Sequence, residues 1–188
     1  MPMKPYAQMS HLGLAVYDFD KMLDFYLRFF DYHISDQQMR PDGRKVAFLT
    51  RDPNDHHQFV LGSGRPKDAD FNPVTQISFR TDSLASVKEF WRSCVDEPEV
   101  EIDRTITHGN AWSVYFRDPE GNRLEIYADT PWQVTQPYVV NIDLSQSDEE
   151  IYDFTDKLVH SEDYCEPFVD WRHRTAKEMG LTDWPIRE

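Results

Sequence analysis

Residues 11–26 read HLGLAVYDFDKMLDFY, and residues 76–91 repeat this pattern as QISFRTDSLASVKEFW, starting 65 residues later. Each stretch opens with apolar residues at alternate positions, which is typical of a strand, and then changes to helical spacing. In the first copy the later apolar residues share one helical face: Phe19, Met22, Phe25, Tyr26 and Phe29. The two copies therefore predict two modules that each begin with a strand and a helix.

The remainder of each module repeats as well. Residues 51–53 and 117–119 both read RDP. A strand-like run precedes and follows each of them, at 45–50 and 57–61 in the first module and at 111–116 and 123–127 in the second. Residues 118–122, DPEGN, predict a tight hairpin turn. Each module thus predicts a strand, a helix and then two or three strands, and the fold class is α+β.

A different pattern follows residue 129. Residues 147–150, SDEE, have the form of a helix-capping box, and apolar residues follow them at helical spacing. Pro167 is placed to open a further helix, and Gly180 is placed to end it. We expect residues 130–188 to form a helical extension, with two amphipathic helices within 141–180 that pack on the core or on a second subunit.

Composition narrows the class of partner. The chain has 188 residues, with 20 Lys and Arg against 34 Asp and Glu, for a formal net charge of −14. Such an acidic chain is repelled by nucleic acid and by anionic membrane surfaces, so we expect neither as a partner. The first six residues lack the pattern of a signal peptide, and the two cysteines form no CxxC pair, which predicts a cytoplasmic protein.

The doubled pattern resembles the vicinal oxygen chelate superfamily, which includes glyoxalase I, extradiol catechol dioxygenases, fosfomycin-resistance enzymes and metal-free bleomycin-binding proteins. The opening HLGLAVYDFDKMLDFY and the closing FRDPEGNRLEIY carry the resemblance. It covers a domain over residues 8–129, with modules at about 8–64 and 73–129. It implies two βαβββ modules that form a curved mixed sheet with an internal cleft, and it implies a homodimer.

The resemblance also implies a metal site. Its ligand positions, on the first and last strand of each module, fall on His11, Gln76 and Glu125, while the fourth falls on Phe59 or Val60. Neither apolar residue can bind a metal, so the sequence departs from the four-ligand glyoxalase I layout. The empty place favours the three-ligand layout of extradiol dioxygenases, which holds Fe(II) or Mn(II). In that layout Gln76 stands where a second histidine is usual.

Three further residues match the catalytic half of an extradiol site. His57, the second residue of the pair His56-His57, resembles the acid/base histidine of these enzymes. His108, in the loop over residues 107–110, resembles their second active-site histidine, and Tyr115 stands where they place a substrate-binding tyrosine. A histidine suits the acid/base role because its ordinary pKa lies near 6.5.

Glu125 has an additional argument from strand alternation. It stands between Leu124 and Ile126. If those two residues face the helix, the Glu125 carboxylate points to the opposite, concave face, where an unpaired charge is costly. A metal ion or another cation would remove that cost.

Each of the other residues has a simpler interpretation. His11 could be an ordinary polar residue of a strand, and Gln76 could hydrogen-bond a backbone group. His57 could be a surface neighbour of the histidine before it, since adjacent residues of a strand face opposite sides. His108 could cap its loop, and Tyr115 could be a core aromatic.

The leading hypothesis is an extradiol-type, ring-cleaving dioxygenase that acts on a small catechol-like aromatic substrate and dioxygen. Trp112, Phe48 and Phe79 could line an apolar pocket for the ring. One alternative is another metal-dependent enzyme of the same superfamily, a lyase or isomerase of the glyoxalase type. A second is a metal-free protein that binds a small molecule, of the bleomycin-resistance kind.

Overall fold

The computed structural model describes residues 7–68, 74–181 and 183–187. The chain separates into two compact units, Met1–Pro73 and Val74–Glu188. The first six residues, and the predicted start of the second module at residue 73, lie outside the described ranges. The predicted division into a domain over 8–129 and an extension over 130–188 stays a prediction.

The first unit holds one module, whose elements are β1 (Leu12–Val16), α1 (Phe19–Phe30), β2 (His33–Met39), β3 (Lys45–Thr50) and β4 (Phe59–Ser63). Its sheet has the strand order β1-β4-β3-β2, in which β1 runs parallel to β4 and the other pairs are antiparallel. The Asp18 side chain caps α1 by accepting from the Lys21 amide at 3.1 Å. The apolar face of α1 is buried, and Tyr26 stacks on Phe59 with ring centroids 4.6 Å apart.

The second unit repeats this module with β5 (Ile77–Arg80), α2 (Leu84–Asp96), β6 (Glu101–Thr107), β7 (Ala111–Arg117) and β8 (Arg123–Asp129). Helices α1 and α2 begin 65 residues apart, as the repeated sequence predicts. Strand β5 runs parallel to β8, just as β1 runs parallel to β4. The prediction of two βαβββ modules in an α+β fold is confirmed.

The second unit continues with β9 (Trp132–Val134), β10 (Val140–Asn141), α3 (Asp148–Val159), β11 (Cys165–Pro167) and α4 (Phe168–Glu178). Strand β10 joins the edge of the module sheet, giving the order β10-β6-β7-β8-β5, and β9 pairs with β11. The predicted capping box of α3 is present between Ser147 and Glu150. Pro167 precedes α4, and Gly180 follows it with a φ of +73°. The two predicted C-terminal helices are therefore confirmed.

One predicted strand begins at a different residue. The sequence predicted a strand over residues 57–61, whereas β4 begins at Phe59. His56 and His57 lie in the preceding loop, where the Asp52 side chain holds a turn by accepting from a backbone amide. The two histidines lie outside the strand, so the argument from strand alternation does not apply to them.

None of the helices in the described ranges is both long enough and apolar enough to cross a membrane.

The hairpin between β6 and β7 makes a tight contact at Gly109, which has a φ of +74°. A Cβ atom there would lie 2.4 Å from Cγ2 of Val134 on β9. Gly121 matches it in backbone conformation, with a φ of +78°, but has no atom within 4 Å of such a Cβ. Substitutions at these two glycines therefore distinguish the energetic cost of a left-handed backbone from the cost of a steric clash.

We expect Gly121→Ala to lower the free energy of unfolding by about 1–2 kcal/mol, the cost of a left-handed conformation. Gly109→Ala should lower it by a further ~1–3 kcal/mol, because the methyl group overpacks the contact with Val134. Urea unfolding of both variants measures the difference. Equal losses would show that β9 does not press on the hairpin as described.

Candidate active site

Four side chains form a row across the sheet of the second unit. Strand register places Ser78 on β5 beside Glu125 on β8, Glu125 beside Tyr115 on β7, and Tyr115 beside Arg104 on β6. Residues that are direct partners across a sheet project from the same face. The row is therefore a property of the pairing of the strands and does not depend on a loop.

Glu125 is a buried carboxylate in this row, with 6% of its surface exposed. Its Oε2 accepts hydrogen bonds from Ser78 Oγ at 2.5 Å and from Gln76 Nε2 at 3.2 Å. Its neighbours along the strand, Leu124 and Ile126, are buried on the opposite face. The carboxylate thus points away from the apolar side of the sheet, as the alternation argument requires.

Tyr115 is buried beside this carboxylate. Burial raises the pKa of its phenol well above the ordinary value, and the hydrogen bond with Glu125 and the negative charge of Glu125 raise this pKa further. The Arg104 guanidinium lies 4.9 Å from the centroid of the ring and opposes the shift. The phenol therefore keeps its proton at neutral pH and can act as a hydrogen-bond donor.

His108 completes the cluster from the β6–β7 hairpin. Its Nδ1 lies 2.8 Å from the Tyr138 carbonyl oxygen, which can only accept, so we assign a proton to Nδ1. Its Nε2 lies 3.1 Å from the Tyr115 hydroxyl and 3.9 Å from Oε1 of Glu125. The neutral ring therefore presents an acceptor nitrogen to the phenol and, once protonated, presents a donor.

The donors around Glu125 suit a site for a cation. Ser78 and Gln76 supply hydrogen bonds without full charge, so they do not neutralise a negative charge on the buried carboxylate. Because Gln76 uses its amide nitrogen on Glu125, its carbonyl oxygen is the atom left for a metal. Among the residues that the structure describes, no group of three or more His, Cys, Asp or Glu side chains could hold a metal ion. The ligand set predicted from the sequence, His11, Gln76 and Glu125, is not a group of this kind, because Gln76 contributes an amide.

The first unit brings together two of the predicted residues. The rings of His11 and His57 lie 4.3 Å apart, and Nδ1 of His57 lies 2.9 Å from Nδ1 of His56. Phe48 lies beside both loop histidines, at 5.8 Å from His56 and 5.1 Å from His57. Desolvation lowers the pKa of His57, and the neighbouring His11 and His56 lower it further. This cluster favours the neutral, proton-accepting form of His57.

Strand register also decides between the two candidates for the empty fourth ligand position. Val60 pairs with Gly13 on β1 and with Phe48 on β3. This is the same place in the first sheet that Glu125 occupies in the second, between Ser78 and Tyr115. Val60 therefore holds the place in the first sheet that corresponds to Glu125, whereas Phe59 packs against Tyr26 of α1.

The predicted lining of the ring pocket needs a correction. Trp112 is three residues from Tyr115 on β7, and Phe79 is one residue from Ser78 on β5. Both therefore project from the face of the sheet opposite to the row. The Trp112 indole donates to Thr155 Oγ1 on α3 at 2.9 Å, which makes it part of the helix-side core. Of the three aromatics only Phe48 lies beside candidate catalytic residues.

Two members of the row were missed by the sequence analysis. Ser78 could have been found, because it stands two residues after Gln76 and must share its face of the strand. Arg104 could not have been found in this way. A bulge between Ile102 and Arg104 shifts the register of β6, and the sequence gives no sign of it.

Comparison with known proteins adds a family and a fold. A family model described as the Glyoxalase/Bleomycin resistance protein/Dioxygenase superfamily matches residues 8–126. Biphenyl-2,3-diol 1,2-dioxygenase 2 of Rhodococcus globerulus is 27% identical over 135 residues, which cover 67% of this chain and 66% of that protein. The chain thus spans just under two thirds of the length of this relative.

Two solved structures show the same fold. A glyoxylase/bleomycin resistance protein/dioxygenase domain from Frankia sp. EAN1pec has a TM-score of 0.56 and 20% identity, with 67% of this chain and 100% of that chain covered. The fosfomycin resistance protein FosX from Listeria monocytogenes, complexed with Mn(II) and sulfate, has a TM-score of 0.52 and 20% identity, with 67% and 95% covered. Since the family model spans both βαβββ modules, the chain belongs to the Glyoxalase/Bleomycin resistance protein/Dioxygenase superfamily.

Proposed function

We propose that the protein is an extradiol-type dioxygenase that cleaves the ring of a catechol-like aromatic substrate with a non-haem divalent metal. The observation that carries the proposal is the contact of a buried carboxylate, a protonated phenol and an imidazole in one cluster, formed by Glu125, Tyr115 and His108. The similarity to an enzyme named for a vicinal diol supports the substrate class.

The proposed metal ligands are His11, Gln76 and Glu125, the set that the family resemblance implies. One imidazole, one carboxylate and one amide oxygen suit Fe(II) or Mn(II), since both accept mixed nitrogen and oxygen donors. When bound, the metal would supply Lewis acidity and electron transfer for the oxygen chemistry. Ser78 supports this assignment, because its hydrogen bond fixes the orientation of the Glu125 carboxylate.

The remaining residues handle protons and orient the substrate. His57 would take a proton from a catechol hydroxyl, for which its lowered pKa provides the neutral form. Tyr115 would donate a hydrogen bond to a substrate oxygen. His108 would hold or return a proton through Nε2, because the Tyr138 carbonyl keeps the other ring nitrogen protonated.

A second candidate is a metal-dependent lyase or isomerase of the glyoxalase type within the same superfamily. The amide of Gln76 favours it, since an amide oxygen replaces the second histidine of the extradiol pattern. Val60 in the fourth ligand position counts against it, because that layout needs a fourth protein donor.

The metal assignment is tested with Glu125→Gln, which keeps the shape of the side chain and removes its charge. We expect the affinity for Fe(II) and Mn(II) to fall by more than the ~10–100-fold that loss of a group supporting a ligand costs. The fold should remain, because an amide oxygen can still accept from Ser78. Metal content after anaerobic reconstitution gives the result, and circular dichroism reports the fold.

Glu101→Gln is the matched control, since Glu101 is exposed at the start of β6. It should bind metal like the wild type. Unchanged metal content in Glu125→Gln would contradict the ligand assignment.

The acid/base assignment is tested with His57→Gln. We expect the turnover of a catechol to fall by roughly 10²–10⁴, the usual contribution of a positioned acid or base. The metal content should remain, because His57 is not a proposed ligand, and KM should change much less than kcat. Steady-state kinetics with a panel of catechols measures both constants.

The exposed His173 on α4 provides the control His173→Gln, which should leave kcat unchanged. Wild-type turnover by His57→Gln would rule out the acid/base role. If the iron-loaded wild type cleaves no catechol in the panel, the dioxygenase proposal itself fails.

A further inference from the structure

The second unit contains an open cavity of about 520 Å³ beside the end of β8. This volume lies within the ~300–1,000 Å³ range of small-molecule sites. Arg80 and Asp129 reach it from the ends of β5 and β8, Phe168 and Arg172 from α4, and Arg187 from the C-terminal segment. None of these residues belongs to the Glu125 cluster.

Guanidinium groups outnumber carboxylates in the lining. Asp129 Oδ2 accepts a hydrogen bond from Arg172 Nη2 at 2.7 Å. Arg80 Nη1 lies 3.6 Å from the same Oδ2, which is an ion pair beyond hydrogen-bond distance. Asp82 is the other acidic residue of the lining. Three arginines against two carboxylates leave one positive charge in excess, although the whole chain is strongly acidic.

The three arginines differ in how many contacts they already make within the protein. Arg172 is committed, because it also donates to the Arg187 carbonyl oxygen at 2.8 Å and its guanidinium carbon lies 4.0 Å from the centroid of the Phe168 ring. Arg80 keeps 35% of its side chain exposed, and Arg187 is exposed. These two arginines can therefore receive an anion without breaking the contacts that hold Arg172.

Asp82 does not compete for the same arginines. Its Oδ1 accepts hydrogen bonds from Ser86 Oγ at 2.6 Å and from Ser83 Oγ at 3.0 Å, at the start of α2. The hydrogen bond from Ser86, followed by that from Ser83, lowers the pKa of Asp82, so it remains an anion held by the helix. Arg80 keeps only a long ion pair with Asp129, so the one excess positive charge of the lining lies with Arg80 and Arg187 and is available to a ligand.

Of the other lining residues, Thr81 and Thr130 carry hydroxyl groups, whereas Phe168, Val169 and Pro131 form an apolar part of the surface. An inorganic anion would leave these groups without contact, whereas a ligand with an apolar body would cover them. An aromatic body also suits a cavity in which a guanidinium already stacks on a phenyl ring.

We propose that this cavity is a binding site for a small aromatic carboxylate, with its carboxylate at Arg80 and Arg187 and its ring against Phe168 and Val169. Planar guanidinium groups recognise carboxylates through paired hydrogen bonds, which provides the selectivity for this class. The proposal is independent of the metal chemistry proposed for Glu125, since it needs neither a metal nor turnover.

Calorimetry with the full-length, metal-free protein tests the site, with benzoate as the probe and benzyl alcohol as an uncharged ligand of similar size. We expect benzoate to bind and benzyl alcohol to bind at least about tenfold more weakly, the ratio expected for one lost charge-assisted contact. Arg80→Gln and Arg187→Gln should each weaken benzoate binding by about tenfold. Added salt should also weaken it, since both arginines are partly exposed.

Arg92→Gln is the control, because Arg92 is exposed on α2 and does not line the cavity. It should bind benzoate like the wild type. If Arg80→Gln loses the fold together with its contact to Asp129, Arg187→Gln still decides, since its side chain lies at the exposed C-terminal end.

Three results would overturn the proposal. The first is no benzoate binding up to roughly 10 mM, the limit of a useful weak affinity. The second is equal binding of benzoate and benzyl alcohol, which would show that the carboxylate charge does not contribute to binding. The third is an equal loss in Arg92→Gln and in Arg187→Gln, which would indicate a general effect of net charge.

Discussion

The burial of one carboxylate constrains the rest of the second unit. Glu125 lies in the middle of a sheet whose other face is an apolar core, and the uncharged side chains of Ser78 and Gln76 donate to it. A charge in this position is costly unless its hydrogen bonds are complete or a cation joins it. Ser78 and Gln76 satisfy one oxygen of Glu125 by hydrogen bonds, while the pairing of β7 with β8 places Tyr115 beside it.

The repeated module shows how one backbone provides two kinds of surface. In the first unit the four places of the row are held by Gly13, Val60, Phe48 and Asp36, so the hydroxyl, buried carboxylate and phenol of the second unit have no counterparts there. Register, parallel pairing and helix placement are the same in both. The chemistry therefore resides in the side chains of one face, while the apolar face that packs against each helix carries the fold.

The sequence predicts those parts of the structure that follow from the periodic spacing of apolar residues. Helices α1 and α2, the capping box at Ser147 and the orientation of Glu125 all follow from spacing and strand alternation. The loop position of His56 and His57 did not follow, because the loop that contains the Asp52 turn continues to residue 58 and β4 begins only at Phe59. The position of Arg104 in the row depends on a bulge in β6, and the spacing of apolar residues does not reveal that bulge.

The tautomer of His108 is set from outside the region that the family shares. The family match ends at residue 126, yet the carbonyl that receives the His108 Nδ1 proton belongs to Tyr138. The same C-terminal segment presses Val134 against Gly109, next to His108. Two proteins with the same row of side chains could then differ in proton chemistry only because their sequences diverge after the last shared strand. In this chain, His108 lies within the matched region, whereas Tyr138, whose carbonyl decides which nitrogen carries the proton, lies beyond it.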